Sequence, residues 1–338
     1  MDPKTIEHCY THLKEANLAL SQALGITFFE ASYENLQNLA NQEILVRDGQ
    51  PDAKTREQLT HIYSKLAWEE APPRERWEAI RLLLLEGQRD AHLPVNMQMT
   101  PTAVAVLVGF MLNTLAQKQG LENFHLFDPV VGMGNLLLTV QDTLKEAAIP
   151  VRAVGYDSDE LLLGLTEQTS RLIGAPLELF FGDVLNPLLL EPVDGVVADL
   201  PIGYYPNKEG AQKFKTACFE TPTGLPFAHY LLIEQALHYL KPGGLALFII
   251  PSQLFNGPHH EILLDFIKKE AYLQAIMALP GNLFQAWDYQ KSLLLLQKQG
   301  AQAQQAKPIL TGDIPELQDA QGMADFAKSF STWAEDMV

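Results

Sequence analysis

The chain has 338 residues, of which 47% are hydrophobic and 19% are charged, and its formal net charge is −17. This composition is typical of a globular protein with room for one large domain and a smaller one. The sequence contains no apolar run of the roughly 20 residues that cross a bilayer, and its start, M-D-P-K-T-I-E-H, lacks the features of a signal peptide. Two distant cysteines outside any His/Cys cluster argue against a disulfide framework and a metal site, so we expect a cytoplasmic protein without bound metal.

The N-terminal region has the residue spacing of helices. Between Thr5 and about Glu86, leucines and isoleucines recur three, four or seven residues apart, with Pro51 and Pro72 as interruptions. We therefore predict a helical domain over residues 1–94. Its arginines stand among glutamates, which favours ion pairs on an exposed helix face over a nucleic-acid surface: Arg74, Arg76, Arg81 and Arg89.

A glycine turn follows the next apolar run. The segment F-H-L-F-D-P-V-V-G-M-G-N-L-L-L stops at Asp128, turns through Gly132 and Gly134, and opens a helical pattern at Asn135. Such a turn places backbone N–H groups and a helix start at the carboxyl edge of a sheet, where α/β folds bind ligands. The third glycine of the dinucleotide fingerprint is absent, since Leu137 stands in its place. An acid before the turn repels a pyrophosphate and suits a ligand that carries an ammonium group.

Three further apolar runs also end in an aspartate. V-R-A-V-G-Y-D ends at Asp157, about 20 residues after the turn, where a carboxylate accepts from ribose hydroxyls in nucleoside-binding domains. L-E-L-F-F-G-D-V contains Asp183, and G-V-V-A-D-L-P contains Asp199. A single aspartate after a strand is ordinary turn chemistry, but four successive ones favour a shared binding edge.

The alternation of strands and helices from Thr100 onwards predicts a doubly wound sheet. The fold class we expect is α/β, a Rossmann-like seven-stranded sheet behind a helical N-terminal domain, with the last two strands antiparallel. The domain would span residues 95–300, and a tail over residues 301–338 would hold a short strand near Ile309 and a helix from about Met323. The segment Gly300 to Ala306 has the composition of a linker. The strands are expected at Phe124–Val130, Val151–Asp157, Leu177–Val184, Gly195–Pro201, Leu245–Pro251, Tyr272–Leu279 and Ser292–Gln297.

The order of these segments resembles that of a known enzyme class. D-P-V-V-G-M-G-N-L-L, G-Y-D-S-D, F-G-D-V, A-D-L-P and L-K-P-G-G-L-A-L-F-I-I-P are similar to the motifs of class I S-adenosylmethionine-dependent methyltransferases. Within that class the chain looks most like adenine-specific N6 DNA methyltransferases, especially the modification subunits of type I restriction systems. M-Q-M-T-P-T-A-V-A-V is similar to the T-P segment of these enzymes. A-I-M-A-L-P-G-N-L-F and the segment from Lys291 to Lys298 are similar to their last two strands.

The resemblance implies S-adenosylmethionine as the cofactor and gives roles to the strand-end residues. Asp157 would accept from the ribose hydroxyls, Asp183 would meet the adenine ring, and the glycine turn would frame the methionine part with Thr100 closing over it. Phe227, which opens a later helix, would pack against the cofactor. The cofactor-binding residues expected on this basis are Thr100, Asp128, Gly132, Gly134, Asn135, Asp157, Ser158, Asp183, Val184 and Phe227.

The catalytic motif of the resembled family is altered in this chain. The family has Asn or Asp, Pro, Pro, then an aromatic residue that stacks on the target base, whereas this chain has D-L-P-I. We expect Asp199 and Pro201 to be catalytic, with the acid accepting a hydrogen bond from the target amine. Ile202 replaces the aromatic residue, and Tyr204 or Tyr205 could supply one instead. A degenerate motif with another substrate, or with none, is the alternative.

The segment from Gly203 to Pro226 is long for a connector within a compact domain. It mixes lysines with aromatic residues, which suits a stackable substrate that carries phosphate. A plain surface loop is the other interpretation, and the sequence leaves both open.

Three functions are compatible with these observations. The first is an N6-adenine methyltransferase that acts on DNA, through a partner subunit or with low sequence specificity, so that DNA or another nucleic acid is its partner. The second is a methyltransferase for RNA, protein or a small molecule, and the third is a non-catalytic protein that binds S-adenosylmethionine. The acidic charge counts against DNA binding by the chain alone. Too few residues follow Lys298 for the usual target-recognition domain, so we expect sequence reading to need a partner subunit.

Overall fold

The computed structural model describes residues 1–93, 97–284, 290–300 and 302–335. The chain folds into two compact units. The first contains Met1–Met99, Gly132–Gly134 and Asp159–Leu179; the second contains Thr100–Val131, Asn135–Ser158 and Phe180–Val338. The predicted domain boundary at residue 94, position 301 of the linker and residues 285–289 of the connector between the last two predicted strands lie outside the described residues.

The helices are α1 (Pro3–Leu24), α2 (Phe28–Asn41), α3 (Ala53–Lys65), α4 (Pro73–Asp90), α5 (Thr102–Lys118), α6 (Asn135–Glu146), α7 (Glu160–Ile173), α8 (Lys208–Ala211), α9 (Ala228–Tyr239), α10 (His260–Glu270) and α11 (Ala320–Glu335). The strands are β1 (Phe124–Asp128), β2 (Val151–Asp157), β3 (Glu178–Phe181), β4 (Val193–Asp199), β5 (Leu240–Pro251), β6 (Ala271–Ala278), β7 (Lys291–Lys298) and β8 (Leu310–Asp313). Three-residue 3₁₀ turns stand at Trp68–Glu70 and Gly281–Leu283.

The first unit is helical, as the leucine spacing predicts. Thr27 and Glu30 form a reciprocal capping box that starts α2, so two otherwise unpaired N–H groups are satisfied. α7, which follows β2 in the chain, packs against α2 and α4 in this unit. The close approach of α7 to α2 requires a glycine, because a Cβ on Gly164 would lie 2.8 Å from the ring of Tyr33. Arg81 pairs with Glu78 at 2.9 Å, but Arg81 is buried and does not lie on the exposed helix face that the sequence predicts.

The second unit is built on one sheet with the strand order β3-β2-β1-β4-β5-β7-β6-β8. β1 is parallel to β2 and β4, β4 is parallel to β5, and β7 is antiparallel to both β5 and β6. This order confirms the α/β methyltransferase-like fold and the antiparallel pair predicted from the sequence. The order also places a switch point between β1 and β4. From β1 the chain continues to β2 and β3 on one side, and then crosses to β4 on the other side. Ligands bind at such a crevice in open α/β sheets.

Several strand ends lie one to three residues from their predicted positions, as at β3, which ends at Phe181 rather than Val184. Two larger differences concern the sheet. The sheet has an eighth strand, because the short tail strand expected near Ile309 pairs in parallel with β6 as β8. β5 begins at Leu240 rather than Leu245, although proline and glycine normally end strands. Leu240 already pairs with Val193, and the register then shifts before Gly195 pairs with Leu245.

The centre of the sheet is buried on both faces. Phe124, Phe127, Phe248 and Leu294 are fully buried. A Cβ on Gly195 would lie 2.5 Å from the ring of Phe124, so β1 and β4 approach through a missing side chain. A rigid core therefore fixes the two strand ends that carry the candidate site.

Candidate active site at the carboxyl ends of the strands

The turn after β1 has the backbone that its glycines predict. Gly132 and Gly134 adopt φ angles of +51° and +78°, in the left-handed region that favours glycine. The preceding Val131 donates its N–H to the Tyr156 carbonyl of β2 at 2.9 Å. The chain thus leaves Asp128 in a fixed path and starts α6 at Asn135.

Asp128 is a fully buried carboxylate in an acidic setting. Only 1% of the residue is exposed, and its Oδ1 accepts the Val130 N–H at 3.0 Å. Burial, reinforced by the charges of Asp157 and Asp199, raises the pKa of Asp128 well above its usual range. Three carboxylates at neighbouring strand ends favour a positively charged ligand, because a cation would relieve both the desolvation and the repulsion.

A hydrogen-bond chain joins three of the predicted site residues. The Asn135 amide donates to the Thr100 carbonyl at 2.6 Å, and the Thr100 hydroxyl donates to Asp199 Oδ2 at 3.0 Å. Thr100 and Asn135 are both buried. The segment before α5, the start of α6 and the end of β4 are therefore held together at one point.

The other oxygen of Asp199 faces a residue to which the sequence motifs assign no role at the site. Lys291 Nζ lies 2.5 Å from Asp199 Oδ1, with the two side chains 11% and 17% exposed. Lys291 is the first residue of β7 and pairs with Pro251 of β5. A lysine at the start of a buried strand with four consecutive leucines is the signal that could have revealed it, because buried lysines are nearly always paired.

The ends of β2 and β3 carry the residues expected near ribose and adenine. The Asp157 carbonyl accepts the Gly182 N–H at 2.9 Å, so the two strand ends stay adjacent. Asp183 accepts from the Leu185 N–H at 3.0 Å and from the Tyr205 hydroxyl at 2.5 Å. Of the two remaining candidates, Val184 is buried, whereas Ser158 is exposed.

The altered tetrad is integrated into the sheet. Leu200 is fully buried and donates its N–H to the Ile249 carbonyl of β5 at 3.0 Å. A proline at this position, as in the resembled family, has no N–H to donate. The leucine therefore extends the pairing of β4 with β5 by one hydrogen bond beyond Asp199.

The aromatic candidates after the tetrad separate into two environments. Tyr204 is 37% exposed and stacks on Phe227, with ring centroids 5.1 Å apart and planes at 23°. Tyr205 is 8% exposed and directs its hydroxyl to Asp183, and burial followed by that hydrogen bond raises its pKa to about 12. Ile202 is half-buried. Tyr204 is thus the tyrosine whose ring remains partly accessible.

The segment from Gly203 to Pro226 is an ordered, packed loop. Its ends meet in a bridge between Tyr204 and Phe227. Its middle is anchored by the buried Glu234 of α9, which accepts the N–H groups of Lys215 at 3.0 Å and Thr216 at 2.8 Å. These contacts hold the loop in place, and with it the stacked rings of Tyr204 and Phe227 at its two ends.

His229 also contacts the tetrad. Its ring hydrogen-bonds the Pro201 carbonyl, while burial lowers its pKa to about 4, so the ring is neutral near pH 7. Its Nδ1 is buried and has no hydrogen-bond partner in the part of the chain that the structure describes.

Metal-ligating clusters and membrane-spanning helices are both missing from the residues that the structure describes. Within these ranges, no three His, Cys, Asp or Glu side chains are grouped to hold a metal ion. Likewise, no described helix combines the length and the apolar character of a membrane span.

Comparison of whole folds identifies close structural relatives. A candidate class I S-adenosylmethionine-dependent methyltransferase from Listeria monocytogenes is 31% identical, with a TM-score of 0.90 over 98% of this chain and 100% of that one. The type I restriction-modification methyltransferase subunit from Streptococcus thermophilus is 15% identical, with a TM-score of 0.63 over 98% of this chain and 75% of that one. The second similarity, at this identity, concerns the fold alone.

Sequence comparison gives the family. The Bacillus subtilis protein YtxK is 34% identical over 331 residues, 96% of each chain. The family model of N-6 DNA methylases matches residues 98–328, which include β1 to β8 and the strand-end residues described above. The chain therefore belongs to the N-6 DNA methylase family and is an S-adenosylmethionine-dependent methyltransferase.

Proposed function

We propose that this methyltransferase methylates the exocyclic amine of adenine in DNA, with Asp199 as the residue that holds the amine. The observation that carries the proposal is the position of Asp199. It ends β4 at the switch point, beside the acidic edge of β1 and β2, in a chain of the N-6 DNA methylase family. N-6 methylation is the chemistry for which this family is named.

The acidic strand ends fit S-adenosylmethionine. Burial raises the pKa of Asp128, and the charges of Asp157 and Asp199 raise it further, so a cationic ligand is favoured beside these carboxyl groups. When bound, S-adenosylmethionine supplies an electrophilic methyl carbon on a sulfonium. We assign the methionine part to the glycine turn and Asn135, the ribose to Asp157, and the adenine to the end of β3. The full proposed set is Thr100, Asp128, Gly132, Gly134, Asn135, Asp157, Ser158, Asp183, Val184 and Phe227.

An aromatic amine needs a hydrogen-bond acceptor more than it needs a general base, and Asp199 can be that acceptor. Such an amine is a weak nucleophile because its lone pair is delocalised into the ring, and an acceptor for its hydrogens draws the nitrogen towards tetrahedral geometry. A carboxylate offers about four lone-pair positions, and Thr100 and Lys291 use two of those on Asp199. The remaining positions can take an N–H of the substrate, and Pro201 and His229 fix the backbone that follows.

We assign stacking on the target base to the aromatic residues that follow the tetrad. Ile202 cannot provide a π-face. Tyr204, two residues further along the chain, can provide one, and its ring stacks on that of Phe227. We assign the flipped base to Tyr204, because it is the more accessible of the two tyrosines.

The net charge of −17 bears on how DNA reaches the site. Phosphate binding depends on lysine and arginine, and a strongly acidic protein repels DNA unless a basic surface is supplied. We therefore propose a partner subunit that carries the DNA contacts and reads the sequence. DNA as substrate and two free cysteines, Cys9 and Cys218, fit a cytoplasmic protein. The limits 1–94 for a helical domain, 95–300 for the methyltransferase domain and 301–338 for a C-terminal tail remain our proposal.

A second candidate function is methylation of RNA, protein or a small molecule. Ile202 in the stacking position and the acidic charge favour it. A methyl-transfer assay with radiolabelled cofactor separates the two, with unmethylated DNA, RNA and cell-extract protein offered in parallel, each with and without cell extract as a source of partner subunits. Label in DNA, recovered as N6-methyladenine, is the expected result. Label confined to RNA, protein or small molecules would overturn the DNA proposal.

A further inference from the structure

We infer that Lys291 is a specificity-determining residue of the acceptor site. Lys291 offers a hydrogen-bond donor, and Asp199 beside it offers a hydrogen-bond acceptor. This pattern matches the edge of an adenine where the amine lies next to a ring nitrogen. The inference rests on the proposed function, because it concerns the same adenine substrate.

The Lys291–Asp199 pair is expensive to bury and sits where chemistry is expected. Removing two charges from water costs several kcal/mol per ion in general, so a buried ion pair is weak evidence for stabilisation. Both side chains are largely buried, and one of them is the proposed amine acceptor.

The hydrogen-bonding capacity of the pair is incompletely used. Lysine has three N–H donors, and within the described ranges Asp199 is the acceptor that Lys291 Nζ reaches. Asp199 itself keeps lone pairs after its bonds to Lys291 and Thr100. A substrate can therefore donate its amine hydrogen to Asp199 and accept from Lys291 while the ion pair remains.

Adenine offers this pattern, and an aliphatic amine does not. The amine of adenine is flanked by the ring nitrogens N1 and N7, each with a lone pair. A protonated alkylamine has only donors and carries a charge, so Lys291 would repel it. The pair thus selects a neutral amine beside a lone pair and rejects the side chain of lysine as an acceptor.

Other lysines of the sheet show what a structural role looks like. Lys298, at the opposite end of β7, donates to the carbonyls of Leu237 at 2.6 Å and Leu240 at 2.8 Å. Lys241 forms an ion pair with Asp194 at 2.7 Å near the start of β4 and β5, away from the strand ends that carry the site. The Lys241–Asp194 pair, whose lysine side chain is 41% exposed, is therefore a control for loss of a lysine–aspartate ion pair outside the site.

The test compares Lys291→Met with Lys241→Met on DNA containing adenine, 1-deazaadenine or 7-deazaadenine at the methylated position, in the presence of the partner subunit if one is needed. Binding of each DNA is measured by fluorescence anisotropy, and transfer is measured as kcat/KM. The wild type should lose about 10- to 100-fold in kcat/KM when the relevant ring nitrogen is replaced by C–H, because a charged hydrogen bond is lost. Lys291→Met should lose a similar factor on adenine and become indifferent to that nitrogen, and Lys241→Met should behave as the wild type.

Lys291→Gln extends the test because it keeps a neutral donor without the charge. It should fold if the methionine variant does not, and it should retain a weaker dependence on the ring nitrogen. A Lys291 variant that methylates adenine as well as the wild type, or one that keeps the full ring-nitrogen dependence, would overturn the inference alone. No methylation of adenine by the wild type, with cofactor bound, would instead overturn the proposed function and the inference with it.

Discussion

The hydroxyl of Tyr205 donates a hydrogen bond to the carboxylate of Asp183 at 2.5 Å, which ties the loop after the tetrad to the end of β3. Asp183 is the residue we assign to the cofactor adenine, so the tyrosine already holds one of the oxygens that the adenine amine would use. The raised pKa of Tyr205, about 12, keeps the hydroxyl protonated and able to donate throughout the neutral range. Cofactor binding and the position of this loop are therefore coupled in our account.

This coupling gives the first prediction. Tyr205→Phe frees one oxygen of Asp183 and should strengthen S-adenosylmethionine binding several-fold in calorimetry. It should also lower the melting temperature, since a hydrogen bond to a charged group contributes about 1.5–3 kcal/mol. Tyr204→Phe is the matched control and should leave the affinity unchanged, while Asp157→Ala should abolish binding to the folded protein. Weaker binding by Tyr205→Phe would show that the tyrosine supports the adenine pocket rather than competing for it.

Asp128 gives the second prediction. Its folded pKa lies above the unfolded value of about 3.9, so the folded protein retains a proton that the unfolded chain has lost. The free energy of unfolding of the cofactor-free protein therefore falls as the pH rises from the unfolded pKa of Asp128 towards its higher folded pKa. Asp128→Asn should melt at a higher temperature than the wild type at neutral pH and should bind S-adenosylmethionine more weakly. A lower melting temperature for the variant at neutral pH would contradict our inference that the buried Asp128 carboxyl group destabilises the cofactor-free protein.

His229 gives the third prediction. Its folded pKa of about 4 lies below the ordinary value of 6.5, so the unfolded chain binds a proton that the folded protein excludes. The contribution of His229 to stability should be lost as the pH falls from about 6.5 to 4, by roughly 3 kcal/mol. His229→Gln can still donate to the Pro201 carbonyl but does not titrate. Denaturant unfolding of both proteins across this range should show a flatter profile for the variant, and parallel profiles would count against the buried neutral histidine.

Much of this site could be predicted from the sequence because its parts are local. An apolar run that stops at an acid, as at Asp128 or Asp157, marks a strand end, and parallel strand ends share one edge of the sheet. The contact between Lys291 and Asp199 could not be predicted in this way, because it joins the start of an antiparallel strand to residues far away in the chain. The early start of β5 at Leu240 was missed because K-P-G-G has the local chemistry of a turn, and the pairing with Val193 overrides it.

The loop from Gly203 to Pro226 shows the same limit. Its lysines and aromatic residues are equally compatible, in sequence, with a binding loop and with a plain surface loop. The structure shows that Phe214 and Cys218 are buried and that Glu234 anchors the backbone. These contacts depend on α9, which the composition of the loop does not reveal.

Ile202 gives the fourth prediction. Replacing it with tyrosine restores an aromatic residue next to the tetrad, and stacking of a base on an aromatic ring contributes roughly 1–3 kcal/mol. Ile202→Tyr should therefore raise kcat/KM on an adenine substrate by about 5- to 150-fold, whereas Ile202→Leu should have little effect. Equal rates for the tyrosine and leucine variants would mean that the target base does not lie against this position.

The central claim is that Asp199 holds the amine that becomes methylated. The most direct test measures N6-methyladenine by mass spectrometry in DNA treated with the wild type and with Asp199→Ala, together with S-adenosylmethionine affinity by calorimetry. We predict that the variant forms no N6-methyladenine while its cofactor affinity stays within a few-fold of the wild type, because Asp199 acts mainly on the substrate. Methyl transfer to adenine that persists in Asp199→Ala would contradict the account and would confine the role of these strand ends to the cofactor.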